Sequence, residues 1–356
     1  DQRVMVRLNG GMRGPQGAEP RVGEVPPGAQ RYQLIREGVD NDGDGRINED
    51  GFGGIDMNRN FPRNWEPEHL QPGAGPFPLS EPEVYATVKF IQEHPNITSI
   101  VHGHTSGGFV YRLPSASAPS LFPQDDLALI EHLGAPYTET TGRPVRPSAT
   151  HPTRHRYGTL ITWAFWDQGV VGWVPEYSPG PEAWVRDFNG DGSVDPREEM
   201  RFNDDQLGGR YFSPWVQYHH PDLGDVEVGG WHSKFWGQNP PAEFLAEECA
   251  AQLPWIFYLI KQAPRVALDG PIVTPLDDGT YRVKAAVTNE GFLPTSLTGR
   301  GAVGRERPDG TLGSPLVRPP VLTLSLEGAE LVEGAGRVGL AHLQGTGPFL
   351  PGVGVA

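Results

Sequence analysis

Cysteine is almost missing from these 356 residues, with Cys249 standing alone. One thiol excludes an internal disulfide framework and a cysteine-built zinc finger, so any metal must be held by His, Asp, Glu or backbone oxygen. Long apolar runs are missing as well. The longest, Leu253 to Ile260 (LPWIFYLI), falls far short of the roughly 20 residues that cross a bilayer. Positive charge is scarce: 29 basic against 44 acidic residues leave a formal net charge of −15, which repels phosphate backbones and anionic lipid heads. Neither nucleic acid nor membrane is therefore expected as a partner, and the chain is expected to be a monomer. It opens at Asp1 with neither an initiator Met nor a signal-peptide pattern, which reads as a cut.

Length suggests two domains, at a soft prior of roughly 150 residues each. Periodicity predicts a helix from Ser80 to about Pro95: Ser80 and Glu83 make a capping box, Pro82 sits in the first turn, and Val84, Val88 and Ile91 form an apolar stripe. Ile97 to His102 (ITSIVH) then has the β-branched content of a buried strand and runs into His104 to Gly108 (HTSGG). Two histidines thus emerge at a strand's C-terminal end, where ligands collect in open α/β sheets. A second strand, Gly169 to Pro175, comes after an aromatic helix around Trp163 to Trp166 and delivers Glu176. A polar insertion precedes a long helix from about Pro241 to Lys261. From about Ala267 short strands such as Tyr281 to Thr288 alternate with Gly, Pro and Asp turns. The expected fold is α/β: a mixed β-sheet flanked by helices over residues 1–264, followed by a small β-sandwich over residues 265–356.

Two acidic loops have metal-ligand spacing. Asp187 to Glu198 (DFNGDGSVDPRE) fits the EF-hand loop, with Asp187, Asn189, Asp191 and Ser193 at positions 1, 3, 5 and 7, Gly192 at the turn and Glu198 at 12. Alternating oxygens wrap a hard cation, and the last carboxylate can bind in bidentate fashion. Asp40 to Asp50 starts the same way with Asp40, Asp42 and Asp44, but Gly51 stands at position 12, so Glu49 or Asp50 would have to close it. Structural calcium is the expected ion. Calcium loops together with a lone cysteine point to an extracellular or cell-surface setting.

Gly54 to Pro62 (GIDMNRNFP) resembles the D-x-N-R-N-[FW] segment of the M14 zinc carboxypeptidases, in which an Asn-Arg pair grips the substrate's terminal carboxylate. Asp56, Asn58 and Arg59 match that segment. A guanidinium's planar fork pairs bidentately with a carboxylate, so the residue types suit the task. The resemblance implies that His104 is a zinc ligand, with His102 as the alternative, and that Glu176 is the general base. Glu227 (DVEVGGW) is the rival base, because the stretch downstream of it resembles the one downstream of the base in the family. The resemblance further implies that Tyr157 closes over the substrate and that Ile161 lines the side-chain pocket, favouring apolar or aromatic C-terminal residues. The implied function is zinc-dependent hydrolysis at peptide or protein C-termini. The family's first two zinc ligands lie in an H-x-x-E segment upstream of D-x-N-R-N, and no His of this chain has Glu three residues later. Arg36 and Arg46 are both candidates for the family's additional substrate arginine.

Overall fold

A computed structural model describes residues 54–115, 122–148, 156–220, 224–306 and 311–347. The described residues divide into two compact units, one of Ile55–Tyr177 with the segment from Glu247 onward and the other of Ser178–Ala246.

The larger unit opens with a short 3-10 turn at Met57–Arg59, then α1 (Pro82–Glu93), β1 (Ser99–Val101), β2 (His104–Thr105), β3 (Phe109–Arg112), α2 (Gln124–Thr141), β4 (Val145–Pro147), α3 (Leu160–Trp163) and β5 (Val171–Tyr177). A π-helical turn, Ala164–Gln168, continues α3. These strands form one mixed sheet in the order β1, β5, β3, β4. β5 runs through its middle, parallel to β1 and β2 on one edge and antiparallel to β3 on the other, while β4 lies parallel to β3. Residues 171–175 of β5 are buried without alternation, as a strand covered on both faces requires. Trp173 and Val174 join Ile130, Leu133 and Tyr137 of α2 and Phe165 in the main core. A second cluster sets Val84, Val88 and Ile91 of α1 against Phe61, Leu160 and Trp163.

The expected capping box at Ser80 and Glu83 does not form. Glu81 is the N-cap, and Ser80 is drawn away by Asn60, which is fully buried. The Asn60 amide donates to Ser80 Oγ (2.9 Å), Ala74 O (2.8 Å) and Phe77 O (3.0 Å), and its Oδ1 accepts from Glu81 N (3.2 Å). A buried amide needs its full set of partners, and a Ser at hand is one of them.

In the smaller unit the polar insertion folds as α4 (Pro196–Leu207), β6 (Phe212–His220) and β7 (Gly224–Trp231). The two strands make an antiparallel hairpin, and Val185, Phe202, Leu207, Tyr211 and Trp236 form a local core.

α5 (Ala242–Lys261) brings Trp255 into the main core, where its ring nitrogen donates to Leu133 O at 3.0 Å. Beyond it β8 (Val266–Pro275) pairs with β9 (Tyr281–Asn289); α6 (Gly299–Ala302), which periodicity does not foretell, is followed by β10 (Gly304–Glu306), β11 (Leu312–Pro315), β12 (Val321–Thr323) and β13 (Arg337–Gly339). The C-terminal strands pair two by two: β8 with β9, β10 with β11, β12 with β13. The link from Leu293 to Thr298 is buried. Asp126 of α2, itself buried, accepts from Gly299 N (2.6 Å) and Arg300 N (2.9 Å), and Thr298 Oγ1 donates to Gly169 O (2.8 Å). Burial raises the Asp126 carboxyl above its ordinary value, against the pull of those two N–H groups.

Candidate functional site

Asn58 and Arg59 reach their places through a local capping arrangement. Asp56 caps the 3-10 turn by accepting from Asn58 N (2.9 Å), and its carboxylate lies 3.5 Å from the Arg59 guanidinium, which also donates to Asn58 O at 2.6 Å. Asn58 Oδ1 accepts from Leu160 N (2.9 Å) at the start of α3. That contact requires close approach of two backbones: Gly158, at φ +61°, lies so near Arg59 that a Cβ there would stand 2.1 Å from the Arg59 carbonyl oxygen. Only glycine fits.

His104 and Glu176 are placed by strand register. They are paired across the parallel β2 and β5, so their side chains leave the sheet on the same face, with His104 Nδ1 4.0 Å from Glu176 Oε1. The other ring nitrogen of His104 is 3.3 Å from His102 Nδ1, the two rings meeting edge to face. Burial, followed by the neighbouring His102, holds the His104 imidazole down at about 4, with Asp56 acting the other way. Burial lowers His102 too, again opposed by Asp56. His104 is thus neutral at physiological pH, the form that ligates metals. Glu176 is 14% exposed, and desolvation raises its carboxyl from 4.5 to about 7 even though Arg156, Arg59 and Arg146 all favour its anion. A carboxylate poised near neutrality is suited to taking up and releasing a proton.

Asn58, Arg59, His104, Ile161 and Glu176 line one cavity of about 70 Å³, together with Tyr111, Ser148, Arg156, Thr159 and Val174. Tyr157 and His102 are not in that lining. A larger cavity of about 470 Å³ beside α1 contains the Arg63 and Asp167 pair but no imidazole. The smaller one is the cavity that gathers residues singled out from the sequence. Glu227 sits on the β6–β7 hairpin of the other unit, where its carboxylate accepts from Gln217 Nε2 at 2.7 Å on an exposed face. Sequence reasoning misses Tyr111, Ser148, Thr159, Val174 and, with a charge of its own, Arg156. Its position beside Tyr157 and before the Gly158 turn is the one signal that could have found it.

In the loop at Asp187 the acidic oxygens are held by the loop's own N–H groups. Asp187 accepts from Gly190 N (2.6 Å) and Gly192 N (2.9 Å), and Asp191 Oδ1 accepts from Ser193 N (2.9 Å) and Ser193 Oγ (2.7 Å). Gly192 turns at φ +87°, as the sixth position of the loop demands. Glu198 accepts from Phe188 N (2.7 Å) and Asn189 N (2.9 Å), and forms a capping box with Asp195 at the start of α4. Asp40, Asp42, Asp44, Arg36 and Arg46 lie outside the described residues.

Residues 32–180 match the family model of the zinc carboxypeptidases (Peptidase_M14), and residues 265–349 match that of a domain of unknown function (DUF8731). No curated protein matches the chain. Solved structures similar to it include carboxypeptidase A from Helicoverpa armigera, at 14% identity over 58% of this chain and 41% of that one, with a TM-score of 0.37. Thrombin-activatable fibrinolysis inhibitor matches at 18% identity over 39% of this chain and 36% of its own, with a TM-score of 0.31. The bovine inhibitor in complex with tick carboxypeptidase inhibitor matches at 19% identity over 46% and 54%, with a TM-score of 0.31. The chain spans only 36% to 54% of the length of the last two and 41% of the first.

Proposed function

We propose, from the match of residues 32–180 to the zinc carboxypeptidase family model, that this chain carries the carboxylate grip and the proton-transfer residue of an exopeptidase acting on the C-terminal bond of peptides or proteins. The observation that supports it is the convergence of Asn58, Arg59, His104 and Glu176 on one cavity. Arg59 offers a fork of donors to a terminal carboxylate and Asn58 adds its amide. Glu176 accepts a proton from the attacking water and passes it to the leaving amine, a task for which a pKa of about 7 is matched to neutral pH. Ile161 forms an apolar wall beside them.

A catalytic zinc takes three protein ligands, and among the described residues no group of three His, Cys, Asp or Glu side chains is placed to hold a metal ion. The described residues do not by themselves fit zinc. That observation favours a second reading, a peptide-binding module that keeps the grip without turnover. The parent gene discriminates: an H-x-x-E segment encoded upstream supports the enzyme, and its absence leaves the binding module.

The grip is testable on the chain as it stands. Arg59→Ala, or amidation of the peptide C-terminus, is expected to weaken binding of a short peptide by about ten- to a hundredfold, the scale of a lost hydrogen-bonded charge. Equal affinity for acid and amide peptides would refute the grip. In a protein that includes the H-x-x-E segment, Glu176→Gln is expected to abolish turnover and keep peptide binding, with Glu227→Gln milder; the reverse pattern moves the base to Glu227.

We infer further that the Asp187 loop takes calcium as a structural ion, on the strength of its spacing and its Gly192 turn, with carboxylates that here accept from the loop's own N–H groups and are not gathered round an ion position, and that the protein works outside the cell or at its surface.

A further inference from the structure

The cavity holds a second guanidinium to which the carboxylate grip assigns no task. Arg156 lines it without an ion pair to any carboxylate among the described residues, although across the cavity its charge favours the Glu176 anion. Its position is nevertheless fixed. The guanidinium carbon stands 4.4 Å from the centre of the Tyr111 ring, and Nη1 donates to Ser148 Oγ at 3.4 Å. Tyr111 is itself held edge to face against Phe109, with ring centres 4.6 Å apart. Stacking on an aromatic face restrains the guanidinium plane and leaves its edge, with most of its five N–H donors, for a planar anion. Both supports come from the sheet side of the cavity: Tyr111 from β3 and Ser148 just after β4.

Size limits what can meet that edge. At roughly 10–15 Å³ per water-sized group, a cavity of about 70 Å³ takes about five such groups. A carboxylate fits within that space, whereas an aromatic ring with its methylene exceeds it. Ile161 and Val174 would contact the methylenes of such a side chain, and Arg156 would meet its end.

We propose that Arg156 is a specificity-determining residue that selects substrates ending in glutamate or aspartate, pairing with the side-chain carboxylate while Arg59 and Asn58 hold the main-chain one. This rests on the carboxylate-grip reading above and replaces the apolar or aromatic preference that Ile161 alone suggests.

The test is a titration of the full chain with short peptides identical but for the last residue, Glu or Gln, each also as its C-terminal amide. The Glu peptide is expected to bind about tenfold more tightly than the Gln peptide, the scale of one charge-assisted pair. Arg156→Gln is expected to bring that ratio near one, and Arg156→Lys, which keeps the charge, to retain part of it. A ratio near one in the parent chain, or a ratio that survives Arg156→Gln, overturns the proposal. The Arg59→Ala variant separates the two levels. Arg59-dependent binding without a Glu preference refutes Arg156 alone, whereas binding that ignores both Arg59 and the free C-terminus removes the grip and the specificity together.

Discussion

The cavity at Glu176 and the loop at Asp187 each place a carboxylate at the centre of their chemistry, yet they treat it in opposite ways. Around Glu176 the protein withdraws water and gives little in return, so the carboxyl rises to about 7. In the loop, Asp191 is solvent-exposed and accepts hydrogen bonds from Ser193 and Asn189, which hold its carboxyl below the ordinary range. The first environment makes a group that exchanges protons near neutrality; the second makes a persistent anion that can face a cation. Similar residue types thus support two kinds of chemistry, and the difference lies in burial against local N–H donors.

The largest expected effect breaks the contrast at Glu176. Its folded-state pKa is raised, so folding disfavours the ionised form: the penalty is absent below about 4.5 and complete above about 7. In metal-free protein, Glu176→Gln is expected to be more stable than the parent by up to roughly 3 kcal/mol at pH 8, with the gain vanishing by about pH 4. Urea unfolding at the two pH values measures it. A variant no more stable than the parent at pH 8 would mean that the cavity does not desolvate this carboxylate.

Next in size comes calcium. An ion that binds only the native loop is expected to stabilise by about 2.7 kcal/mol at a hundredfold excess over its dissociation constant. Asp191→Ala should remove that calcium-dependent part, and an unchanged response in the variant would take the ion away from this loop. Without calcium the same substitution sharpens the comparison by its sign. The lowered Asp191 pKa contributes stability above the ordinary value of 3.8 that is lost as the pH falls through the lowered one. Asp191→Ala should accordingly be slightly less stable than the parent at pH 7 and level with it in acid, the mirror image of Glu176→Gln and the smallest effect of the three.

Much of the scaffold is legible in the sequence because its signals are local. The apolar stripe of α1, the β-branched run of β1, the strand that carries Glu176 and the long α5 all lie within a residue or two of where periodicity puts them. The loop at Asp187 is a linear motif, so its chemistry is written in one stretch. The cavity is not. Its members come from residues 58 to 176, and only the resemblance to a family joins Asn58 and Arg59 to His104 and Glu176. The resemblance names Tyr157 and is silent on Arg156, which lines the cavity. Nothing in the sequence announces that Tyr111 and Ser148, 45 and 8 residues away from it by numbering, will hold its guanidinium. The capping box at Ser80 fails for the same reason, since the competing partner, Asn60, is distant in sequence.

The placement of Glu176 has a consequence for how the site can be lost. It is at once a member of the central strand and of the cavity, with His104 as its neighbour on one side and Phe109 on the other. A slip of one residue along β5 would exchange its two faces, turning Glu176 inward and an apolar neighbour outward. The part of the site that Glu176 and His104 form is therefore tied to the sheet. In hydrogen exchange, the amides of Gly108 and His102, which donate to the Glu176 and Trp173 carbonyls, should share the opening free energy of the core rather than that of a surface loop. Exposure of the Glu176 carboxyl on warming would then follow the opening of the sheet, so that its titration serves as a gauge of whether the central strand is intact.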